Sequence, residues 1–191
     1  MRELVYYFGM SIDGFIAGPD DEVEFYPGSE EYMAWMFSDY SDMIPTHLRP
    51  SVGLEGVPNK LFDTILMGRR TYEPGLREGA PSPYAHLRQY VFSRTLEQQH
   101  PDVEMVDTDP VAKVRELKQA DSEFDICLAG GGELAGVLLS EIDRLVIKQY
   151  PVVAGTGRTA FGSTFMPTEF DLTEVKTFGD GGNAVMFYSR K

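Results

Sequence analysis

A chain of 191 residues with 42% hydrophobic and 25% charged side chains has the profile of one ordinary globular domain over 1–191, long enough to bury a substantial core and not disordered. Its 30 acidic residues outnumber 17 basic ones, for a formal net charge of -13; this argues against a nucleic-acid partner but leaves room for a small phosphate ligand met by a local cluster of donors. A single cysteine excludes an intrachain disulfide, the three histidines show no metal-ligand spacing, and no apolar stretch approaches the roughly 20 residues that cross a bilayer, so no metal and no membrane are expected and a cytoplasmic location is the default.

Residues 4–8, Leu-Val-Tyr-Tyr-Phe, are β-branched and aromatic and end at Gly9, which predicts a first strand. The apolar run at 4–12 has only Arg2 as a preceding positive side chain and is followed by Asp13-Gly14 instead of a small-residue cleavage site, so it reads as a buried strand and not as a signal peptide. Turns follow at Asp13-Gly14 and Gly18-Pro19-Asp20. Tyr32, Met33, Met36, Phe37 and Tyr40 repeat at helical spacing and predict a helix over 29–43, with Ser29 as its N-cap and Glu30 and Glu31 in its first turn. Residues 44–59 hold three prolines and two glycines and predict a long surface loop.

Further strands are predicted at 63–67, entering Gly68; at 89–92, entering Ser93; at 103–106; at 124–129, entering Gly130; and at 145–150. Val111, Val114 and Leu117 mark one face of a helix starting near Thr108 or Asp109, and Leu134, Val137 and Leu138 mark another. Residues 172–178 and 184–188 flank Gly179-Asp180-Gly181-Gly182 as a terminal hairpin. The order predicts an α/β fold: a mixed, mostly parallel sheet flanked by helices, with a C-terminal antiparallel hairpin.

Ligands of open α/β sheets sit at the carboxyl ends of strands, which puts three predicted strand ends in view. At Gly130-Gly131-Gly132-Glu133-Leu134 a strand runs through glycines into a helix, where bare backbone and free N–H groups suit a phosphate. Tight turns also use glycine, and the run lacks both the Gly-x-Gly-x-x-Gly spacing and a Walker-type Lys-Ser/Thr. At Gly68-Arg69-Arg70-Thr71 a hydroxyl, first-turn amides and two guanidinium groups can hold phosphate oxygens, although surface carboxylates are an alternative partner for the arginines. Ser93-Arg94-Thr95 offers a cation and hydroxyls of the kind that hold the 2′-phosphate of NADP. Cys127, within Ile126-Cys127-Leu128, reads as a small buried hydrophobe.

These segments, together with Ser11-Ile12-Asp13-Gly14-Phe15-Ile16-Ala17 and Pro151-Val152-Val153-Ala154-Gly155-Thr156-Gly157, resemble in their order the dihydrofolate reductase-like superfamily. The closest likeness is to the C-terminal reductase domain of bifunctional riboflavin-biosynthesis proteins and its stand-alone bacterial relatives. It covers nearly the whole chain and includes no deaminase part.

The resemblance implies NADPH binding, with Gly68, Arg69, Arg70, Thr71, Ser93 and Arg94 on the phosphate side. By the same resemblance, Gly130, Gly131, Gly132, Glu133 and Leu134 would lie against the pyrophosphate, and Gly9, Ile16 and Ala17 would flank the nicotinamide. It further implies hydride transfer to a flat heterocycle or sugar-like carbonyl, and a homodimer.

One departure concerns the first helix, where dihydrofolate reductases carry a pterin-binding carboxylate. Aligning Ala34-Trp35 with that helix puts Tyr32 at the carboxylate position with Glu31 beside it, so the folate acid is missing or displaced. Candidate proton handlers are Asp13, Glu31 and Tyr32; their plainer roles are a turn residue, a helix N-terminal charge and a packed aromatic. Trp35, Met33, Met36 and Phe37 are candidates for the substrate side. Three functions stay in view: an NADPH-dependent reductase of a heterocyclic or ribosylaminopyrimidine-type substrate, a dihydrofolate reductase with a displaced acid, and a non-catalytic NADP-binding protein. A flavin or deazaflavin in place of NADPH also remains open.

Overall fold

The computed structural model describes every residue except 164 and 180. In chain order the elements are β1 (Leu4–Met10), β2 (Phe15–Ala17), α1 (Glu30–Asp39), β3 (Phe62–Gly68), α2 (Arg69–Arg77), β4 (Arg88–Phe92), β5 (Val103–Val106), α3 (Pro110–Gln119), β6 (Asp125–Ala129), α4 (Gly132–Val137), β7 (Arg144–Gln149), β8 (Arg158–Thr159), β9 (Phe170–Thr177) and β10 (Ala184–Arg190).

Eight strands form one sheet in the order β5-β4-β3-β6-β1-β7-β10-β9, and β2 and β8 form a small separate one. The six strands from β5 to β7 run parallel; β10 joins β7 antiparallel and pairs with β9 as the terminal hairpin. The expected mixed, mostly parallel sheet with helices on its faces is therefore present. Of the expected hairpin turn, Asp180 lies outside the described residues.

Alternation along β1 builds two cores, one on each face of the sheet. Val5 and Tyr7 pack with Tyr32 and Tyr40 from the α1 side and Tyr72 of α2. Leu4, Tyr6 and Phe8 pack with Val114 and Leu117 of α3 and Leu134 and Ala135 of α4. Cys127 is fully buried in the first core, and burial pushes its thiol pKa up.

Three expectations change. The first helix ends at Asp39, short of residue 43, and a 3-10 turn over Ser41–Met43 follows. The cause is tertiary: the buried Asp42 carboxylate accepts the backbone N–H groups of Lys60, Leu61 and Phe62, at 2.7–3.1 Å, so the chain leaves the helical path to reach the start of β3. The segment 44–59 is more than a surface loop. Buried Arg49 donates to the carbonyls of Ser41 (2.8 Å) and Val57 (2.6 Å), and a short 3-10 helix spans Arg49–Val52. The pairing of β2 with β8 was not anticipated.

Among the described residues, no helix is long and apolar enough to cross a membrane, and no cluster of three His, Cys, Asp or Glu side chains is arranged to hold a metal.

Candidate functional site

β4, β3, β6 and β1 are neighbours in the sheet, and their carboxyl ends open on one cleft of about 950 Å³. The chain leaves β3 directly into α2 and leaves β6 through two glycines into α4. Gly130 and Gly131 have φ of +51° and +78°, in the left-handed region where a side chain is strained. A Cβ on Gly131 would also stand 3.2 Å from Thr71 Oγ1 of α2, so these glycines let the β6 and β3 loops approach closely. Gly132 is tighter still: a Cβ there would lie 1.9 Å from the Thr159 carbonyl oxygen of β8.

The helix starts differ in a telling way. α1 and α3 are capped by their own side chains: Ser29 accepts from Tyr32 N, and Asp109 accepts from Val111 N and Ala112 N. α2 and α4 begin at Gly68 and Gly131, with no side-chain cap. Neither start is closed by a side chain, and Gly68 to Thr71 and Gly131 to Leu134 line the cleft.

The cleft is locally basic in an acidic protein. Arg69, Arg70, Arg94 and Arg158 line it. Arg69 pairs with Glu73 (2.6 Å) and donates to Thr95 Oγ1 (3.0 Å), tying the loop after β4 to α2. Asp21 is shared between Arg158 (2.9 Å) and Arg70 (3.8 Å), which fastens the 18–22 turn across the mouth. Arg94 is exposed and has no ion pair or hydrogen bond among the described residues. Ser93 Oγ accepts from Leu96 N (3.0 Å), which leaves its hydroxyl hydrogen to offer.

All fourteen residues expected on the cofactor side line this cleft: Gly9, Ile16, Ala17, Gly68, Arg69, Arg70, Thr71, Ser93, Arg94, Gly130, Gly131, Gly132, Glu133 and Leu134. Asp21, Arg158, Thr159 and Asp107 line it as well and were not anticipated. The first three depend on the turn and strand contacts among β2, β8 and the 18–22 segment, which join positions some 140 residues apart.

The three candidate proton handlers do not line the cleft. Asp13 is exposed and accepts from Ser11 Oγ (2.5 Å), Ala154 N (3.0 Å) and Gly155 N (2.7 Å). These hydrogen bonds, that of Ser11 foremost, bring its pKa down to about 2 from the ordinary 3.8. Glu31 accepts from Gly179 N at 3.2 Å. Tyr32 is buried and shares a 2.8 Å hydrogen bond with the Tyr150 hydroxyl; burial and then Tyr150 hold its pKa far above the usual range.

A depressed carboxylate pKa stabilises the fold above the unfolded-state value, and this contribution is lost as pH falls through the folded one. Asp13→Asn is therefore expected to lower the melting temperature at pH 7, with the gap from the parent closing between pH 4 and about pH 2. Melting curves across that range check it; a gap that persists unchanged at pH 2 contradicts the assigned role.

The RibD C-terminal domain model matches residues 2–183. The uncharacterized protein YwjB of Bacillus subtilis (strain 168) is 29% identical over 181 residues, covering 93% of each chain. Two crystal structures share the fold. A candidate riboflavin biosynthesis protein from Shewanella sp. PV-4 superposes with a TM-score of 0.69 at 21% identity, over 100% of this chain and 99% of that one. A diaminohydroxyphosphoribosylaminopyrimidine deaminase/5-amino-6-(5-phosphoribosylamino)uracil reductase from Thermotoga maritima superposes with a TM-score of 0.66 at 14% identity; all of this chain matches 57% of that one. The sheet order, the cleft at its carboxyl edge and the family match over 2–183 lead to one assignment: the chain belongs to the RibD C-terminal domain family, with a dihydrofolate reductase-like fold.

Proposed function

We propose that the protein is an NADPH-dependent reductase that passes hydride to a small heterocyclic substrate of the ribosylaminopyrimidine type. The observation that carries this reading is the convergence of two uncapped helix starts and an unpaired arginine on one cleft, at the ends of adjacent strands. The donors suit a dinucleotide diphosphate: amides at Gly68 to Thr71 and Gly130 to Gly132 for the pyrophosphate, and Arg69, Ser93 and Arg94 for a 2′-phosphate. Ile16, Ala17 and Phe8 supply an apolar wall at the β1 end for the nicotinamide, and Gly9 lets it approach the backbone.

When bound, NADPH supplies the hydride. The protein's own contribution is to bind the dinucleotide, orient it and shield the reacting end from water. Family membership supports reduction as the reaction class. A non-catalytic dinucleotide-binding protein is the second reading, favoured by the absence of Asp13, Glu31 and Tyr32 from the cleft wall.

We also propose a cytoplasmic homodimer. The edge strand β9 leaves Leu172 and Val175 about half exposed, an apolar strip that a second copy would cover.

Thermal shifts with NADPH, NADH, FMN and methotrexate test the reading. NADPH is expected to stabilise most, through mass action on the folded state. No shift at saturating NADPH contradicts it. A dominant methotrexate shift moves the assignment to folate reduction, and NADPH stabilisation without oxidation across a substrate panel moves it to the non-catalytic reading.

A further inference from the structure

Of the four arginines that line the cleft, three already have carboxylate partners. Arg69 pairs with Glu73, and Arg70 and Arg158 share Asp21. Arg94 has no ion pair or hydrogen bond among the described residues. It follows β4, which lies beside the edge strand β5. Phe92 and Val106 are register partners there, and Ser93 N donates to the Val106 carbonyl at 3.0 Å. The residue after Val106 is Asp107. It also lines the cleft, exposed, and it too has no ion pair or hydrogen bond among the described residues.

The other acids of this segment serve the fold. Asp102 lies 3.7 Å from His100 Nδ1, Glu104 pairs with Lys113 (2.9 Å), and Asp109 caps α3 by accepting from Val111 N (2.9 Å). Asp107 makes no such contact. Glu133, another acid on the cleft wall, belongs elsewhere in it: α4 follows β6, two strands away from β4, and Glu133 Oε2 is 3.5 Å from where a Cβ of Gly162 would be.

One cation and one anion, both unpartnered, therefore leave neighbouring strand ends, which lie about 5 Å apart in any sheet. At one ligand group their effects are opposite. A guanidinium attracts a 2′-phosphate. A carboxylate at a strand end accepts a ribose 2′-hydroxyl and repels a phosphate in its place. Selectivity between two ligands is the difference of such effects, and a repulsive group shapes it as much as an attractive one.

We propose that Asp107 is a specificity-determining residue of the cleft: it accepts the 2′-hydroxyl of NADH and opposes the 2′-phosphate of NADPH, so that the protein takes both dinucleotides. This rests on the dinucleotide reading above, in which Arg69, Ser93 and Arg94 keep NADPH the tighter of the two. Asp107 sets how large that preference is. A unit charge about 6 Å from a nearly doubly charged phosphate in a water-like medium changes its binding about tenfold.

Isothermal titration of the full chain with NADPH and with NADH reads the preference without any turnover. The parent should bind both, with NADH weaker by about tenfold, the net of an attractive Arg94 and a repulsive Asp107. Asp107→Asn should bind NADPH about five- to tenfold tighter and NADH no tighter than the parent, so that the preference widens. Because the carboxylate acts on the phosphate through charge, the gain for NADPH should shrink at about 1 M salt, where charges more than about 3 Å apart are largely screened. The melting temperature of Asp107→Asn should match that of the parent, since no partner is lost. Asp121→Asn is the control: Asp121 is an exposed acid outside the cleft, and its loss changes the net charge equally.

An unchanged NADPH-to-NADH ratio in Asp107→Asn, or an equal change in Asp121→Asn, overturns the role of Asp107. So does a parent that binds NADPH and shows no binding of NADH. In each of these cases the reductase reading stands; a parent that binds neither dinucleotide removes that reading as well.

Discussion

Gly132→Ala is expected to lower the melting temperature by several degrees and to weaken dinucleotide binding in the same variant. A Cβ at this position meets backbone, the Thr159 carbonyl oxygen at 1.9 Å, and not the yielding tip of a side chain. Relief requires moving β8 away from α4 or tilting α4, and either movement displaces the amides at Gly130 and Gly131. Overpacking of this kind costs about 1–3 kcal/mol, and a chain of this size loses roughly 2–4 °C per kcal/mol. Gly179→Ala is the control, since a Cβ there meets nothing within 4 Å. Calorimetric melting and NADPH titration of both variants check the prediction. A Gly132→Ala protein that melts and binds like the parent contradicts the packing of α4 on β8.

The second large effect concerns charge. The double variant Arg69→Ala/Arg94→Ala is expected to lose NADPH affinity by tenfold or more while NADH affinity falls much less. A hydrogen bond to a charged group is worth about 1.5–3 kcal/mol, and only the 2′-phosphate distinguishes the two cofactors at these side chains. Stability should hardly change. Arg94 has no partner to lose, and Arg69 gives up an exposed pair with Glu73, worth about 0–1 kcal/mol. If NADPH is still preferred over NADH as strongly as before, the 2′-phosphate is held elsewhere.

The residues that line the cleft were readable in the sequence because their signals are local. A strand running into glycine and then into a helix is written in consecutive residues, as at Met67-Gly68-Arg69 and Ala129-Gly130-Gly131, and parallel topology carries such ends to one edge. What was not readable depends on contacts between distant segments. The first helix stops early because Asp42 is needed at residues 60–62, a tertiary demand that overrides helical periodicity. Asp21 and Arg158 meet only after β2 and β8 pair. Asp13 was a candidate for chemistry by its place in a motif, yet its carboxylate binds the backbone at Ala154 and Gly155.

Amide hydrogen exchange of the full chain with and without NADPH tests the central claim most directly. Protection is expected in one connected set of strand ends: residues 68–71, 93–94 and 130–134. These are the uncapped helix starts and the loop carrying the unpaired arginine. The edge strand β9 and the 44–59 segment should exchange as before. Protection confined to other segments, or none at saturating NADPH, would contradict the assignment of this cleft to the dinucleotide.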